Sequence, residues 1–350
     1  MPAEYLDKAG SSTAGTMVET TELTEVYYVV SATTTEITYK ILSSNKNVSE
    51  AIVASTEDDY GTSYYYRGSV DNNYVEFANK CWRIVRITGD GSIKLVLHND
   101  NTAGATSPCS SANNNTTAAF AKYSGSSYTS AFNSSYNDNA YVGFMYGTTG
   151  ASDYASTHAN TNKSTILTNL ETWYTNNLED YESDLADTVW CNDKTNVTDT
   201  TFNPWGWSNV NGLGYAKNVT YYGATKRLLD ANSNAGGTGP SLKCNGELSK
   251  ITTKIGLLSA DELAFSGYAA YLNSYGNYLQ ENATGSYWWS LSPCAFHGSG
   301  ARVWLVGGED GILNYVFVNV SHGVRPSISL KSSTNVTGNG TSENPYIVET

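Results

Sequence analysis

The segment that decides the fold is residues 287–330, which read YWWSLSPCAFHGSGARVWLVGGEDGILNYVFVNVSHGVRPSISL. Short apolar runs alternate in it with glycine-containing turns, and this is the pattern of short strands joined by tight connections. It predicts a strand over residues 301–306, a turn over residues 307–311 and a second strand over residues 313–320.

Alternation along these two strands separates their side chains into two faces. The apolar positions predict a core-facing side made of Ala301, Val303, Leu305, Val316, Val318 and Val320. The opposite side carries aromatic, arginine and amide side chains, namely Arg302, Trp304, Tyr315, Phe317 and Asn319. Aromatic residues and arginine displayed together are typical of binding surfaces, so we expect this side to face outward and bind a ligand. A sheet buried on both faces is the alternative.

Outward from this segment, the sequence predicts an α+β protein with two helices, short antiparallel strands and long irregular loops. Ser164 is placed to cap a helix of regularly spaced apolar residues, and Ser259 opens a second helix with a capping-box pattern. Residues 25–30 and 36–42 predict a strand pair, a possible hairpin near the N-terminus. Residues 99–163 are long and polar, and such a connection is normally functional or irregular but packed.

Composition excludes several classes of protein. The chain has 350 residues, with 33 acidic and 20 basic side chains and a net charge of −13. Binding to a nucleic-acid backbone needs clustered Lys and Arg, so no nucleic-acid partner is expected. A hydrophobic fraction of 40% argues against disorder. No window approaches the roughly 18 to 20 apolar residues of a membrane span, and the N-terminus lacks a signal-peptide pattern.

The sequence offers few candidates for catalysis. Its four histidines are His98, His158, His297 and His322, and no Gly-x-Ser-x-Gly nucleophile motif accompanies them. Cys294 and His297 are the one suggestive pair, and a free thiol near a surface histidine is the favoured interpretation.

A calcium-dependent lectin is a second possibility, because it needs clustered carboxylate and amide oxygens. Residues 190–193 (WCND) and 343–345 (ENP) resemble the Trp-Asn-Asp and Glu-Pro-Asn signatures of such lectins, with the residues in a different order. A calcium site therefore stays an alternative, and neither a metal nor another cofactor is expected.

Two motifs in the C-terminal segment carry a resemblance to a known family. Residues 288–293 read WWSLSP and residues 323–326 read GVRP. Together they resemble the closing motif of C-type-lectin-like domains of the formylglycine-generating-enzyme subclass. Further stretches are similar to surface proteins of gut Firmicutes and Mollicutes-type bacteria: residues 59–68, 81–87, 143–147, 240–244 and 344–348.

The resemblance covers most of the chain and implies its domain organisation. A C-type-lectin-like ligand-binding domain is expected over residues 57–350, after an N-terminal extension or stalk remnant over residues 1–56. Relatives of this kind include variable proteins of diversity-generating retroelements, which mutate template adenines within one segment while the scaffold codons stay fixed. The corresponding candidate segment here is residues 290–322.

The function implied by the resemblance is that of a non-catalytic surface receptor or adhesin, with a protein or glycan as its ligand. The implied ligand-binding residues are chemically miscellaneous side chains set between glycine and valine positions, namely Cys294, Phe296, His297, Arg302, Trp304, Asn314, Tyr315, Phe317, Asn319 and His322. The implied location is extracellular or at the cell surface, including a phage or pilus tip, with membrane contact only through an N-terminal anchor outside this sequence.

Five cysteines leave one unpaired if the others form disulfides. The family-like setting of the first four implies the pairs Cys81–Cys109 and Cys191–Cys244, with Cys294 free. Disulfides suit an exported protein in an oxidising compartment.

The same resemblance names an enzyme alternative, a formylglycine-generating-type oxidase that uses Cys294. Such enzymes use a pair of nearby active-site cysteines, and the segment offers Cys294 without a close partner. We therefore expect no enzymatic activity.

Overall fold

The computed structural model describes residues 17–19, 26–32, 37–43, 52–207, 212–274, 276–298 and 300–349. Within these ranges it contains twenty-one strands, four α-helices and four short 3-10 helices. The first strands are β1 Met17–Glu19, β2 Val26–Ala32, β3 Ile37–Ser43, β4 Ile52–Asp58, β5 Gly61–Arg67, β6 Tyr74–Phe77, β7 Lys80–Ile87, β8 Ile93–Asn99, β9 Thr129–Ala131, β10 Met145–Tyr146 and β11 Asn162–Lys163. The later strands are β12 Val189–Cys191, β13 Thr220–Tyr221, β14 Lys250–Thr252, β15 Trp288–His297, β16 Gly300–Val306, β17 Leu313–Phe317, β18 Ser321–Gly323, β19 Ser327–Leu330, β20 Val336–Thr337 and β21 Tyr346–Val348.

The helices are few and short. The α-helices are α1 Tyr154–His158, α2 Thr165–Asn177, α3 Gly223–Leu228 and α4 Ala260–Ser266. The 3-10 helices are Ser111–Asn113, Asn139–Val142, Glu179–Asp184 and Glu247–Ser249. Two of the α-helices, α2 and α4, are the two that the sequence predicts, and the chain is α+β, as expected. No helix in the described part of the chain is long and apolar enough to cross a membrane.

Two sheets make up most of the fold. The larger has eight strands in the order β19-β8-β7-β6-β21-β20, with β5 bonded to β7 and β4 bonded to β5. The other has six strands in the order β17-β16-β15-β18-β9, with β13 added beside β15. Near the N-terminus, β2 and β3 pair antiparallel, which confirms the predicted strand pair.

The six-stranded sheet buries side chains on both of its faces. On one face, Val303 and Leu305 of β16 belong to a hydrophobic cluster that includes Trp173 of α2. On the other face, Trp304 of β16 belongs to a second cluster that includes Leu228 of α3. Burying each large apolar side chain contributes about 1.5–3 kcal/mol, so both faces stabilise the sheet.

Helix α2 forms where its cap and its apolar spacing predict it. The Ser164 Oγ accepts a hydrogen bond from the Leu167 N–H, which satisfies one of the free amides at the helix start. The residues that recur at helical spacing, Ile166, Leu167, Leu170, Trp173 and Tyr174, are all buried. One face of α2 therefore packs into the core and the other stays at the surface.

Helix α4 begins with the predicted capping box. The Ser259 hydroxyl accepts from the Glu262 N–H, and the Glu262 carboxylate accepts from the Ser259 N–H. The same carboxylate accepts from Arg86 Nε at 2.9 Å and from Lys94 Nζ at 2.6 Å. Since Arg86 and Lys94 belong to β7 and β8, these ion pairs fasten α4 to the eight-stranded sheet.

Both expected disulfides are present. Cys81 is bonded to Cys109, Cys191 is bonded to Cys244, and Cys294 is free and buried. The pairing predicted from the family resemblance is confirmed.

The long polar stretch over residues 99–163 is irregular but packed. Phe120, Phe132 and Phe144 are fully buried although little regular structure surrounds them. The stretch also supplies β9, which pairs with β18 at the edge of the six-stranded sheet.

Candidate functional site

The predicted outward face of β16 and β17 is only partly open to solvent. Trp304 and Tyr315 lie on the same side of the sheet, with ring centroids 6.0 Å apart, as alternation predicts. However, Trp304 is fully buried, and its Nε1 lies 3.3 Å from the Thr225 Oγ1 of α3. The expectation that Trp304 faces solvent is wrong, because α3 and neighbouring residues cover this end of the face.

Cys294 and Phe296 are also buried completely, so they cannot contact a ligand on the surface. Phe296 packs in one hydrophobic cluster and Cys294 in the other, on opposite faces of β15. The expectation that these two side chains bind a ligand is therefore wrong, because both faces of β15 are covered by other parts of the chain.

The predicted core-facing valines also differ from expectation at one end. Strand β17 ends at Phe317, and Val318 lies in the turn that follows, where it is fully buried. Val320 is 39% exposed, so its predicted place in the core is wrong. Strand alternation stops governing side-chain direction where the strand stops.

The open part of the face is a cluster of half-buried and exposed side chains that we call the aromatic surface. Its members are Tyr136, Trp205, Trp207, Tyr271, His297, Arg302, Tyr315 and Phe317. Four of them, His297, Arg302, Tyr315 and Phe317, are ligand-binding residues expected from the sequence. The other four were not predicted.

Arg302 lies at the centre of the aromatic surface. Its guanidinium carbon is 4.1 Å from the ring centroid of Phe317 and 5.3 Å from that of Trp207. Its Nη1 donates to the carbonyl oxygens of His297 and Gly300 at 2.9 and 3.0 Å. No carboxylate pairs with Arg302 within the described residues, and burial lowers its pKa.

Ring contacts join the remaining members. Trp207 stacks on His297 with centroids 4.1 Å apart and lies 4.7 Å from Trp205. Trp205 lies 4.6 Å from Tyr315, and its Nε1 donates to the Tyr271 hydroxyl at 3.0 Å. Burial, together with Arg302, lowers the pKa of His297, which favours the neutral form of the ring.

The turn that carries the two tryptophans is held by Asn203. The Trp207 N–H donates to Asn203 Oδ1 at 2.8 Å, and Asn203 Nδ2 donates to the Trp207 carbonyl at 2.7 Å. The Tyr221 hydroxyl donates to the same Asn203 Oδ1 at 2.7 Å. In the sequence, Pro204-Trp205-Gly206-Trp207 indicates a turn that carries two large aromatic side chains. The sequence does not show that this turn lies beside β16, so it could not be identified as part of a binding surface.

Three further expected residues lie outside this cluster of ring contacts. Asn314 is half-buried, and its Oδ1 accepts from the Tyr315 N–H. Asn319 is exposed in the turn after β17. His322 stacks on Tyr287 with centroids 5.6 Å apart.

The oxidase alternative depends on Cys294, whose environment does not favour reactivity. Burial raises the pKa of the thiol well above its usual value, and the Thr225 Oγ1 lies 3.6 Å from its sulfur. A thiol held in its protonated form is a poor nucleophile. The other four cysteines are consumed in disulfides, so none can act as its partner.

The lectin alternative depends on residues 190–193 and 343–345. The Asp193 carboxylate is bound by Arg227 Nη1 at 2.7 Å, and the Glu343 carboxylate contacts the Ser110 hydroxyl. In the part of the chain that the structure describes, no group of three or more His, Cys, Asp or Glu side chains is placed to hold a metal ion.

Beside the start of α2 lies an open groove of about 350 Å³, which we call the hydroxyl-lined groove. Its lining consists of seven hydroxyl-bearing residues, two asparagines and one lysine: Ser134, Ser135, Tyr141, Tyr146, Ser164, Thr165, Thr168, Asn133, Asn169 and Lys163. Tyr136, which follows this wall in the chain, reaches the aromatic surface with its ring centroid 6.2 Å from that of Phe317.

Comparison with known proteins finds a family match over part of the chain. Residues 224–332 match the model of a family described as a domain of unknown function (DUF6273). No curated protein and no solved structure matches the chain. The matched range includes β15, β16 and β17, so the strands that carry His297, Arg302, Tyr315 and Phe317 belong to the part of the chain that is similar to this family.

Proposed function

We propose that the protein is a non-catalytic surface receptor or adhesin that binds a protein or glycan ligand through the aromatic surface. The observation that carries this proposal is Arg302, which is partly desolvated between the rings of Phe317 and Trp207 and has no carboxylate partner among the described residues. Arginine, tryptophan and tyrosine supply most of the energy in binding interfaces. The aromatic surface presents arginine, tryptophan and tyrosine side chains next to one another.

The rigidity of the surface supports the same function. His297, Arg302, Tyr315 and Phe317 are mounted on β15, β16 and β17, and Asn203 fixes the tryptophan turn with hydrogen bonds. Side chains that are already ordered lose little entropy when a ligand binds.

The proposed architecture is a C-type-lectin-like fold of the formylglycine-generating-enzyme subclass, and the proposed variable segment is residues 290–322. Its solvent-accessible positions include Arg302, Phe317 and Asn319, while positions between them, such as Val303 and Val318, are buried. Substitution at the accessible positions would alter the binding surface without disturbing the core. A near-copy of these codons beside the gene, differing only at adenines and adjoining a reverse transcriptase, is the expected finding, and its absence would contradict diversification.

The proposed location is extracellular or at a cell surface, with membrane attachment through an N-terminal anchor. The two disulfides support it, because such bonds persist in oxidising compartments and are rare in the cytosol.

The decisive experiment applies the labelled full chain to arrays of glycans and of cell-surface proteins. Wild-type protein is expected to bind a subset of the array, and the variant R302A/F317A is expected to lose at least about tenfold in affinity. The matched control is Tyr64→Ala, because Tyr64 is 47% exposed on β5 of the other sheet. Binding that survives in R302A/F317A, or no binding to either array, would refute the proposed function.

A further inference from the structure

The hydroxyl-lined groove has a lining that is polar and largely uncharged. Its volume of about 350 Å³ lies at the lower end of small-molecule sites, which occupy roughly 300–1,000 Å³. No carboxylate lines it, and its single cation, Lys163, is paired with Glu171 at 2.7 Å. The groove therefore offers hydroxyl and amide groups to a ligand and no unpaired charge.

Asn133 provides a fixed hydrogen-bond acceptor in this groove. The residue is only 2% exposed, and its Nδ2 donates to the carbonyl oxygens of Tyr141 and Gly143 at 2.7 and 3.2 Å. Both amide hydrogens are thereby used, which sets the direction of Oδ1. Within the described residues no donor is hydrogen-bonded to this oxygen, and Asn133 lines the groove. A buried asparagine that keeps a free acceptor is suited to receive a ligand hydroxyl.

Two tyrosines form another part of the lining. The rings of Tyr141 and Tyr146 lie 5.4 Å apart, tilted by 59°, and both are half-buried. Neither phenol oxygen has a hydrogen-bond partner in the described part of the chain. Burial raises the pKa of Tyr146, so its hydroxyl stays protonated and can donate as well as accept. Their ring faces also offer an apolar surface of the kind that the C–H groups of a sugar contact.

We propose that the hydroxyl-lined groove is a binding site for a neutral sugar residue of a glycan. A sugar presents many hydroxyl groups and no charge, and this matches the neutral donors and acceptors of the lining. Asn169 adds a second amide group to the lining, and its Nδ2 donates to the Ser130 hydroxyl at 2.8 Å. The inference rests on the proposed function in one respect, namely that the ligand of the adjoining aromatic surface is a glycan and not a protein.

Saturation-transfer NMR on the full chain tests the groove directly. The probes are free glucose, galactose, mannose, N-acetylglucosamine and N-acetylgalactosamine. At least one is expected to bind with a millimolar dissociation constant. The variant Thr168→Trp should abolish transfer, because Thr168 is an exposed wall residue of α2 that tryptophan would extend across the groove.

The matched control is Thr175→Trp, the same substitution at an exposed position about 10 Å further along α2 and outside the groove. It is expected to bind the sugar as the wild type does. A second variant, Y141F/Y146F, removes two hydroxyls while keeping both rings, and it should weaken binding by at least about tenfold.

Failure of this inference can be told from failure of the proposed function. R302A/F317A should keep monosaccharide binding in the groove while losing the larger ligand captured on the arrays. No transfer to any of the five sugars, or transfer that persists in Thr168→Trp, overturns the groove assignment, while the array experiment with R302A/F317A separately tests the aromatic surface. Binding lost in R302A/F317A but kept in Thr168→Trp places the sugar on the aromatic surface and equally overturns it.

Discussion

Val318 and Asn319 are neighbours in the turn after β17, and their surroundings are opposite. Val318 is fully buried, and its N–H donates to the Ala301 carbonyl at 3.1 Å, while Asn319 is exposed. The substitution Val318→Asp places an unpaired carboxylate in the core, so we expect it to lower the free energy of unfolding by about 3–5 kcal/mol. Asn319→Asp should change it by less than about 0.5 kcal/mol. Urea denaturation of both variants measures the difference, and equal stabilities would contradict the assignment of Val318 to the core.

At the scale of single residues, alternation along a strand predicted which side chains share a face of the sheet. It did not predict which other parts of the chain cover that face. Tyr315 and Phe317 lie on the side expected of them, and Trp304 lies on that side too. What buries Trp304 is α3, and the contact with Thr225 spans 79 residues of sequence. Trp205 and Trp207 were missed for the same reason, since their place beside β16 depends on the same long-range packing.

At the scale of elements, helix α4 depends on a carboxylate that serves two purposes. Glu262 closes the capping box and binds Arg86 and Lys94. Burial raises its pKa, but Lys94 and Arg86 outweigh this and lower it to about 2. Burial lowers the pKa of Lys94 to about 8, although the nearby Glu262 carboxylate acts to raise it. The ammonium group of Lys94 therefore stays charged throughout the acidic range.

Glu262 is therefore expected to make stability pH-dependent. Because its pKa is lower in the folded state than in the unfolded state, its contribution is present above about pH 4.5 and is lost as the pH falls towards 2. Glu262→Gln keeps the capping hydrogen bond and removes the charge. This substitution should lower the free energy of unfolding by roughly 3 kcal/mol at pH 7. It should also reduce the dependence of that free energy on pH in the acidic range. Denaturation curves measured between about pH 2 and pH 7 test this expectation, with Glu309→Gln at an exposed position as the control. If the stability of Glu262→Gln depends on pH as steeply as that of the wild type, the expected role of Glu262 is contradicted.

Local signals explain why these helices could be predicted. The capping box of α4 and the Ser164 cap with apolar spacing in α2 each lie within a few residues of sequence, and both formed as expected. The five-residue α1 and six-residue α3 were not predicted, because segments so short show no clear periodicity. The groove was missed as well, since it combines the irregular stretch after β9 with the first turns of α2.

At the scale of the whole molecule, two disulfides hold distant parts of the chain. The sequence separations are 28 for Cys81–Cys109 and 53 for Cys191–Cys244, and closing such loops contributes roughly 4 kcal/mol each. We expect mass spectrometry of unreduced peptides to find both links. Cys294 should react with iodoacetamide only after denaturation, because it is fully buried. Cys294→Ala serves as the unlabelled control, and alkylation of Cys294 in the native protein, or a bridge to it, would contradict the structure.

The strand order of the eight-stranded sheet has a consequence for synthesis of the protein. Ser327 of β19 donates its hydroxyl to the Leu95 carbonyl of β8, 232 residues earlier, and β21 pairs in parallel with β6. A ribosome releases β6, β7 and β8 long before β21 and β19, so the outer edges of β6 and β8 stay unpaired in the meantime. Pairing over such separations is slow, since loop-closure entropy is lost before the contact forms. The sheet is therefore completed only after β21 has emerged, and until then the unpaired edges of β6 and β8 are the places on this sheet where a chaperone could bind.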